Sequence, residues 1–381
     1  MAVVLNPFKD AGDAIKEAGG ESFDSCYQCG LCTGSCPWNL VRSFITRRLI
    51  HQAQLGLVEL EGEDTWLCAT CGACVERCPR SVKIIDVMVA LRRISSQWGS
   101  TPKALKTALT SIAAEGNPWG EARNKRTDWV KDLDVKPFTK DTELLYFSCC
   151  TPAYDQKRRR IAVATVNILN RAGIKFGILG NEESCCGESA RKGGAEDLYQ
   201  DLVKYNTELF RKNGVKKVLV SSPHCYHTFK NEYPELSESV EIVHITQFLA
   251  RLIAEGKIKP TKSYPKKVAY HDPCYLGRHN KIYDEPREVL KSVPDLELVE
   301  LPDNRENSLC CGGGGGRIWM DTKKEERFSD IRIEQAIEVG AQVLAIACPY
   351  CMVNYDDSVL TMNKEDVLEV KDITEIINEV I

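Results

Sequence analysis

Apolar residues recur along this chain with two different periods, and the change of period divides it. Up to about residue 115 they come at helical spacing, so that Phe8 to Ala18, Leu40 to Ala53, Val82 to Gln97 and Thr101 to Ala114 each read as an amphipathic helix, the last with Pro102 tolerated in its first turn. Further on, short apolar runs alternate with helical stretches. The runs Leu144–Phe147, Lys175–Leu179 and Lys217–Ser221 predict three strands, and Val268–His271, Leu296–Leu301 and Val343–Ala347 predict three more. Strands alternating with helices predict parallel βαβ layering, in which sites gather at the C-terminal ends of the strands. Between the two regimes, Gly116 to Asp141 is polar and broken by Asn117, Pro118, Gly120 and Pro137, and reads as a linker.

The strand-bearing part repeats itself. LLYFSCCTPAYD (144–155) matches VAYHDPCYLGRH (268–279), ESCCGES (183–189) matches SLCCGGG (308–314), KKVLVSSPHCYHTF (216–229) matches AQVLAIACPYCMVNY (341–355), and IVHITQFLARLI (242–253) matches VKDITEIINEVI (370–381). The offsets grow slowly, from 124 residues between Cys150 and Cys274 to 128 between Ile245 and Ile373, as small loop insertions between two copies would produce. Each copy is predicted to run strand, helix, strand, double-cysteine loop, helix, strand, helix. The expected organisation is α/β: an α-rich unit over 1–98, a helical linker over 99–142, and a duplicated βαβ-type unit over 143–258 and 259–381.

Composition narrows the class. Of 381 residues, 43% are hydrophobic and 27% charged, ordinary for a globular protein, and a net charge of −4 gives no reason to expect nucleic acid as a partner. The one dense basic run, Lys157 to Arg160, reads as a solvated helix face, with a docking patch as the alternative. The start, MAVVLNPFKD, lacks the charged and apolar regions of a signal peptide, and no uncharged apolar run is long enough to span a bilayer. The expectation is a cytoplasmic protein, free to sit on a membrane through a partner subunit.

The 18 cysteines change the picture. In a reducing compartment so many clustered thiols predict metal rather than disulfides. Cys26-x2-Cys29-x2-Cys32-x3-Cys36-Pro37 is followed by Cys68-x2-Cys71-x2-Cys74-x3-Cys78-Pro79. This is the bacterial two-cluster ferredoxin run, in which the fourth cysteine of each block serves the other block's cluster. One cubane [4Fe–4S] cluster is therefore expected on Cys26, Cys29, Cys32 and Cys78, and the other on Cys68, Cys71, Cys74 and Cys36. Structural zinc, the plainer reading, usually takes cysteines as separated pairs. Two clusters held this close serve as an electron relay.

The second repeat reads Cys274-x35-Cys310-Cys311-Gly312-x35-Cys348-x2-Cys351. Adjacent Cys310 and Cys311 do not easily reach one zinc together, whereas a multi-iron cluster accepts both. Gly312 to Gly316 leave backbone N–H groups free to approach cluster sulfurs. No Lys-Ser/Thr follows these glycines, so they are not a P-loop. The pattern resembles the paired-cysteine CCG domain of heterodisulfide reductases. From residue 20 onward the chain resembles the catalytic subunit of their membrane-linked form and related bacterial Fe–S oxidoreductases. That resemblance implies a noncubane [4Fe–4S] cluster on Cys274, Cys310, Cys311, Cys348 and Cys351, with disulfide cleavage there. The first repeat departs from it: Cys150, Cys185, Cys186 and Cys225 are present, but Ser222 stands where Cys348 stands in the second. Four thiolates suffice for an ordinary [4Fe–4S] cluster. A noncubane one needs Cys149, His224 or an outside ligand, and a cluster-free structural copy is the alternative.

His224 and His227 flank Cys225, and His271 precedes Cys274; these are candidate proton donors or supports of the ligands. Arg278, His279 and Arg317 adjoin the second motif as candidate holders of a substrate carboxylate or phosphate, with plain surface charge as the other reading. Two functions stay open. In the first, ferredoxin clusters pass electrons to the second repeat, which reduces or forms a disulfide. In the second, the chain is a non-catalytic subunit linking a flavoprotein or dehydrogenase to a quinone or membrane cytochrome b.

Overall fold

The structure, a computed structural model, describes residues 8–57, 62–131 and 133–381; the first seven residues of the stretch inspected for a signal peptide lie outside them. Among the described residues the strands form two four-stranded parallel sheets. The first has β1 (Leu144–Phe147), β2 (Phe176–Gly177), β3 (Lys217–Val220) and β4 (Glu241–His244) in the order β2-β1-β3-β4. The second has β5 (Lys267–Tyr270), β6 (Glu297–Val299), β7 (Val343–Ile346) and β8 (Glu369–Asp372) in the order β6-β5-β7-β8. Leu145 lies opposite Val218, and Ala269 opposite Leu344, the same register in both copies. β1 and β7 are apolar and buried throughout, as strands covered on both faces should be.

Each sheet has one strand more than the sequence pattern predicts. β4 and β8 run without a loop into helices Ile245–Ala254 and Ile373–Val380, so the two periods merge and the helix masks the strand. The joint is a capping box. Thr374 N–H donates to the Asp372 carboxylate at 2.9 Å while the Glu375 carboxylate accepts from Asp372 N–H at 2.9 Å, and His244 with Gln247 repeats the device. β2 is shorter than its apolar run because Ile178 pairs with the linker instead, accepting from Phe138 N–H at 2.8 Å. β6 likewise covers only the middle of its predicted run.

The linker is packed rather than loose. Its 3-10 helix Arg123–Val130 buries Arg126 and Trp129, and Phe138 joins the core of the first sheet. The helix expected from Leu40 starts instead at Thr46 and runs to Leu55. The Asn39 side chain captures the backbone before it, donating to Thr33 O and Phe44 O and accepting from Phe44 N–H.

The two repeats pack reciprocally. The last helix of the first, Ile245–Ala254, lies on the first helix of the second, Asp284–Lys291, and Ile373–Val380 lies in the same way on Arg159–Arg171. Equivalent surfaces meeting in this manner relate the copies by an approximate two-fold. The basic run is half-consumed in this contact, which corrects the solvated-face reading: Arg158 is buried and pairs with Asp356 at 3.0 Å, and Arg160 pairs with Glu375 at 3.0 Å. The N-terminal unit shares a core with the second repeat, where Trp38 meets Phe328 edge-on at 5.2 Å. Among the described residues no helix is long and apolar enough to cross a membrane.

Candidate functional site

The two ferredoxin blocks fold as tight turns opening on Gly30 and Gly72, both left-handed, each followed by a single helical turn. Between them lie two small cavities. One is lined by Cys36, Cys68, Cys71 and Cys74, and the other by Cys26, Cys29, Cys32 and Cys78. Each thus takes three cysteines from one block and the last of the other, and Ile84 lines both.

The second block is embedded in the second repeat. Arg278 donates to Cys71 O at 2.8 Å, the His279 ring meets Thr70 O at 2.9 Å, and Thr70 shares a 2.8 Å hydrogen bond with the Tyr275 hydroxyl. The glycine run lies on the same loop: a side chain at Gly315, whose φ is +63°, would meet Cys68 O at 2.5 Å. Gly312 and Gly313 N–H groups point at the Cys310 and Cys311 sulfurs, at 3.3 and 3.5 Å. The Cys71 thiol lies against the Cys310 thiol in one buried cluster, which joins a ferredoxin cavity to the second repeat.

The five cysteines of the second repeat come together from the ends of β5 and β7 and from the double-cysteine loop. Thiol contacts run from Cys274 to Cys310, Cys311, Cys351 and Cys348 in turn. Around them stand two histidines that their surroundings push in opposite directions. His271, 3.5 Å from Cys351, is pushed well down by burial and by Arg332. His224 comes from the first repeat, where it holds the place of Tyr350, and the two rings meet at 4.8 Å. Burial works against its charge, but Glu188 at 3.2 Å and the Cys348 thiol it contacts hold it up at about 10. Burial also raises the Cys348 thiol, and contact with Cys351 and His224 overrides this, bringing it down to about 6.

In the first repeat thiol contacts run from Cys150 to Cys185, Cys186 and Cys225. Arg126, from the linker, donates to the Cys150 sulfur at 3.6 Å and is paired to buried Glu183. Its role was not legible in the sequence, since it lies 24 residues from Cys150 in a segment without periodicity.

The 4Fe-4S dicluster domain family matches residues 22–82, and the cysteine-rich CCG domain family matches 144–230 and again 268–356. One component of the dihydromethanophenazine:CoB–CoM heterodisulfide reductase of Methanosarcina mazei is 32% identical over 91% of this chain and 92% of its own length. The chain belongs to the CCG-domain iron–sulfur oxidoreductase family. Further members are the EtfAB:quinone oxidoreductase of Syntrophomonas wolfei, 38% identical over 84% of this chain and 47% of its own length, and the probable iron–sulfur-binding oxidoreductase FadF of Bacillus subtilis, 36% identical over 83% and 46%. The chain spans about half the length of these last two relatives.

The donor sets suit the clusters of this family. Burial with neighbouring sulfurs pushes Cys36 up to about 12 and Cys74 far up, so in the ferredoxin unit a nearby cation is what favours the thiolate at these two positions. Among the described residues no three Cys, His, Asp or Glu side chains converge on a single bare ion. Of the candidate anion holders, Arg278 and His279 bond backbone carbonyls of the ferredoxin loop and of residues 306–308, with Arg278 Nη2 left unpartnered among the described residues. Arg317 instead lines a cleft of about 380 Å³, open to solvent, whose walls include Cys311 and Gly312. Arg158 lines the same cleft, and both arginines are over nine-tenths buried with an unpartnered Nε. His227 packs edge-on against Tyr275 and His279.

Proposed function

We propose that this chain reduces, or in the reverse direction forms, a disulfide at its second CCG copy. The observation that carries the reading is the solvent-open cleft that Cys311 helps to line. The proposed ligand sets are two cubane [4Fe–4S] clusters with the crossed fourth cysteines, a noncubane cluster on Cys274, Cys310, Cys311, Cys348 and Cys351, and a further cluster in the first copy. When bound, the noncubane cluster supplies one-electron steps and iron to which a substrate sulfur can attach.

The balance is R–S–S–R′ plus two electrons and two protons giving two thiols. A one-electron donor of the ferredoxin or flavoprotein class supplies the electrons, and the Cys71–Cys310 contact carries them across the domain boundary. Arg158 and Arg317 orient an anionic thiol in the cleft; Arg158 is partly neutralised by Asp356, while Arg317 donates to Asp321 O and Thr322 Oγ1 and keeps its charge uncompensated by a paired carboxylate among the described residues. His224, fixed by Glu188, keeps its proton beside Cys348.

The second reading, a conduit between a flavoprotein and a quinone or membrane cytochrome b with the chain peripheral on the membrane, is supported by the relative named as an EtfAB:quinone oxidoreductase. A panel of coenzyme thiols, persulfides and small protein thiols added to the anaerobically oxidised protein separates the two. Reduction at the second copy predicts a thiol-dependent paramagnetic signal that disappears in Cys311→Ser and Cys348→Ser and survives Cys26→Ser. If every thiol leaves the spectrum unchanged while the cluster is intact, the conduit reading replaces this one.

A further inference from the structure

The first repeat lacks the cysteine that Cys348 provides in the second, because Ser222 stands there. Cys149, whose matched position in the second repeat is Pro273, makes good the loss. In the second repeat the run of thiol contacts ends with Cys348 against Cys351. In the first it ends with Cys149 against Cys225, the counterpart of Cys351. The fifth sulfur is therefore present in both copies and touches the same partner, although it arrives from β3's counterpart β7 in one and from the end of β1 in the other.

The backbone shows how it gets there. Cys149 has φ +60° and ψ +168°, a conformation that glycine adopts freely and side chains avoid. It is 3% exposed, and the strained turn aims its thiol at Cys225 rather than along the helix Cys150–Tyr154 that follows. We propose that Cys149 is the fifth ligand of a cluster in the first repeat, of the same noncubane class as that in the second, so that the chain carries two five-thiolate sites. The inference rests on the reading that both repeats hold iron.

Cys149→Gly tests it cleanly, because glycine suits this backbone and removes only the thiol; the apo variant is expected to melt no lower than the apo wild type. In ⁵⁷Fe-enriched anaerobic protein, Mössbauer spectroscopy should place about half of the iron in noncubane sites for the wild type, and about a third or less in Cys149→Gly. The double variant Cys149→Gly/Ser222→Cys, which restores the ligand at the place it has in the second repeat, should return the fraction to about half. Cys225→Ser, run in parallel, separates the two levels. Iron lost in Cys225→Ser with an unchanged spectrum in Cys149→Gly leaves a four-thiolate cluster and overturns the role of Cys149 alone. Unchanged iron in Cys225→Ser overturns the cluster of the first repeat itself.

Discussion

Cys36→Ser is expected to remove or alter about four irons per chain, and the cluster affected should be the one held by the second block, not its own. Cys36 lines the cavity of Cys68, Cys71 and Cys74, while Cys78 lines that of Cys26, Cys29 and Cys32. Serine offers a harder oxygen and a far higher pKa than a thiol, so it is a poor substitute ligand for iron that prefers sulfur. Because Cys71 is the residue in contact with Cys310, Cys36→Ser should also stop reduction of the second repeat by a one-electron donor. Cys78→Ser damages the remote cluster and should leave the signal of the near one in place. Iron analysis with electron paramagnetic resonance at poised potentials reads both variants. Loss of the first-block signal in Cys36→Ser, or two intact clusters in either variant, would refute the crossed ligand sets.

Arg92→Ala is expected to destabilise the chain by on the order of 4 kcal/mol and to uncouple the ferredoxin unit from both repeats. Arg92 is fully buried and donates to four backbone carbonyls: Thr65 O at 2.9 Å and Cys68 O at 2.7 Å in the ferredoxin unit, Lys192 O at 2.9 Å in the first repeat, and Gly315 O at 2.9 Å in the second. Its guanidinium also lies over the Trp66 ring at 5.5 Å. Removing it leaves four buried acceptors and a cavity. The energy falls short of a simple sum because burying the guanidinium was itself unfavourable, as its lowered pKa records. Lysine at this position has a compact ammonium instead of a planar fork and recovers only part of the loss. Anaerobic denaturant unfolding measures the effect, and a midpoint equal to that of the wild type would show that the three units hold together without Arg92.

The chemistry of this protein was written locally. The ferredoxin blocks and the adjacent Cys310–Cys311 and Cys185–Cys186 pairs are patterns of short covalent spacing, and the duplication shows as matched blocks in the same order at nearly constant offset. Buried strands such as Leu144–Phe147 and Val343–Ile346 were equally legible, because a strand covered on both faces must be apolar at every position. β4 and β8 were not, since four residues capped directly into a helix carry too little of their own period. What only tertiary structure decided was which groups from distant segments share a site. Arg126 reaches Cys150 from the linker, His224 crosses from the first repeat to Cys348, and Cys71 meets Cys310. Cys149 could be counted in the sequence, but its direction came from a backbone turn that no residue pattern announces. These contacts depend on how two sheets pack about an approximate two-fold and how the ferredoxin loop seats on a glycine run, and packing of that kind leaves no periodic trace in the order of residues.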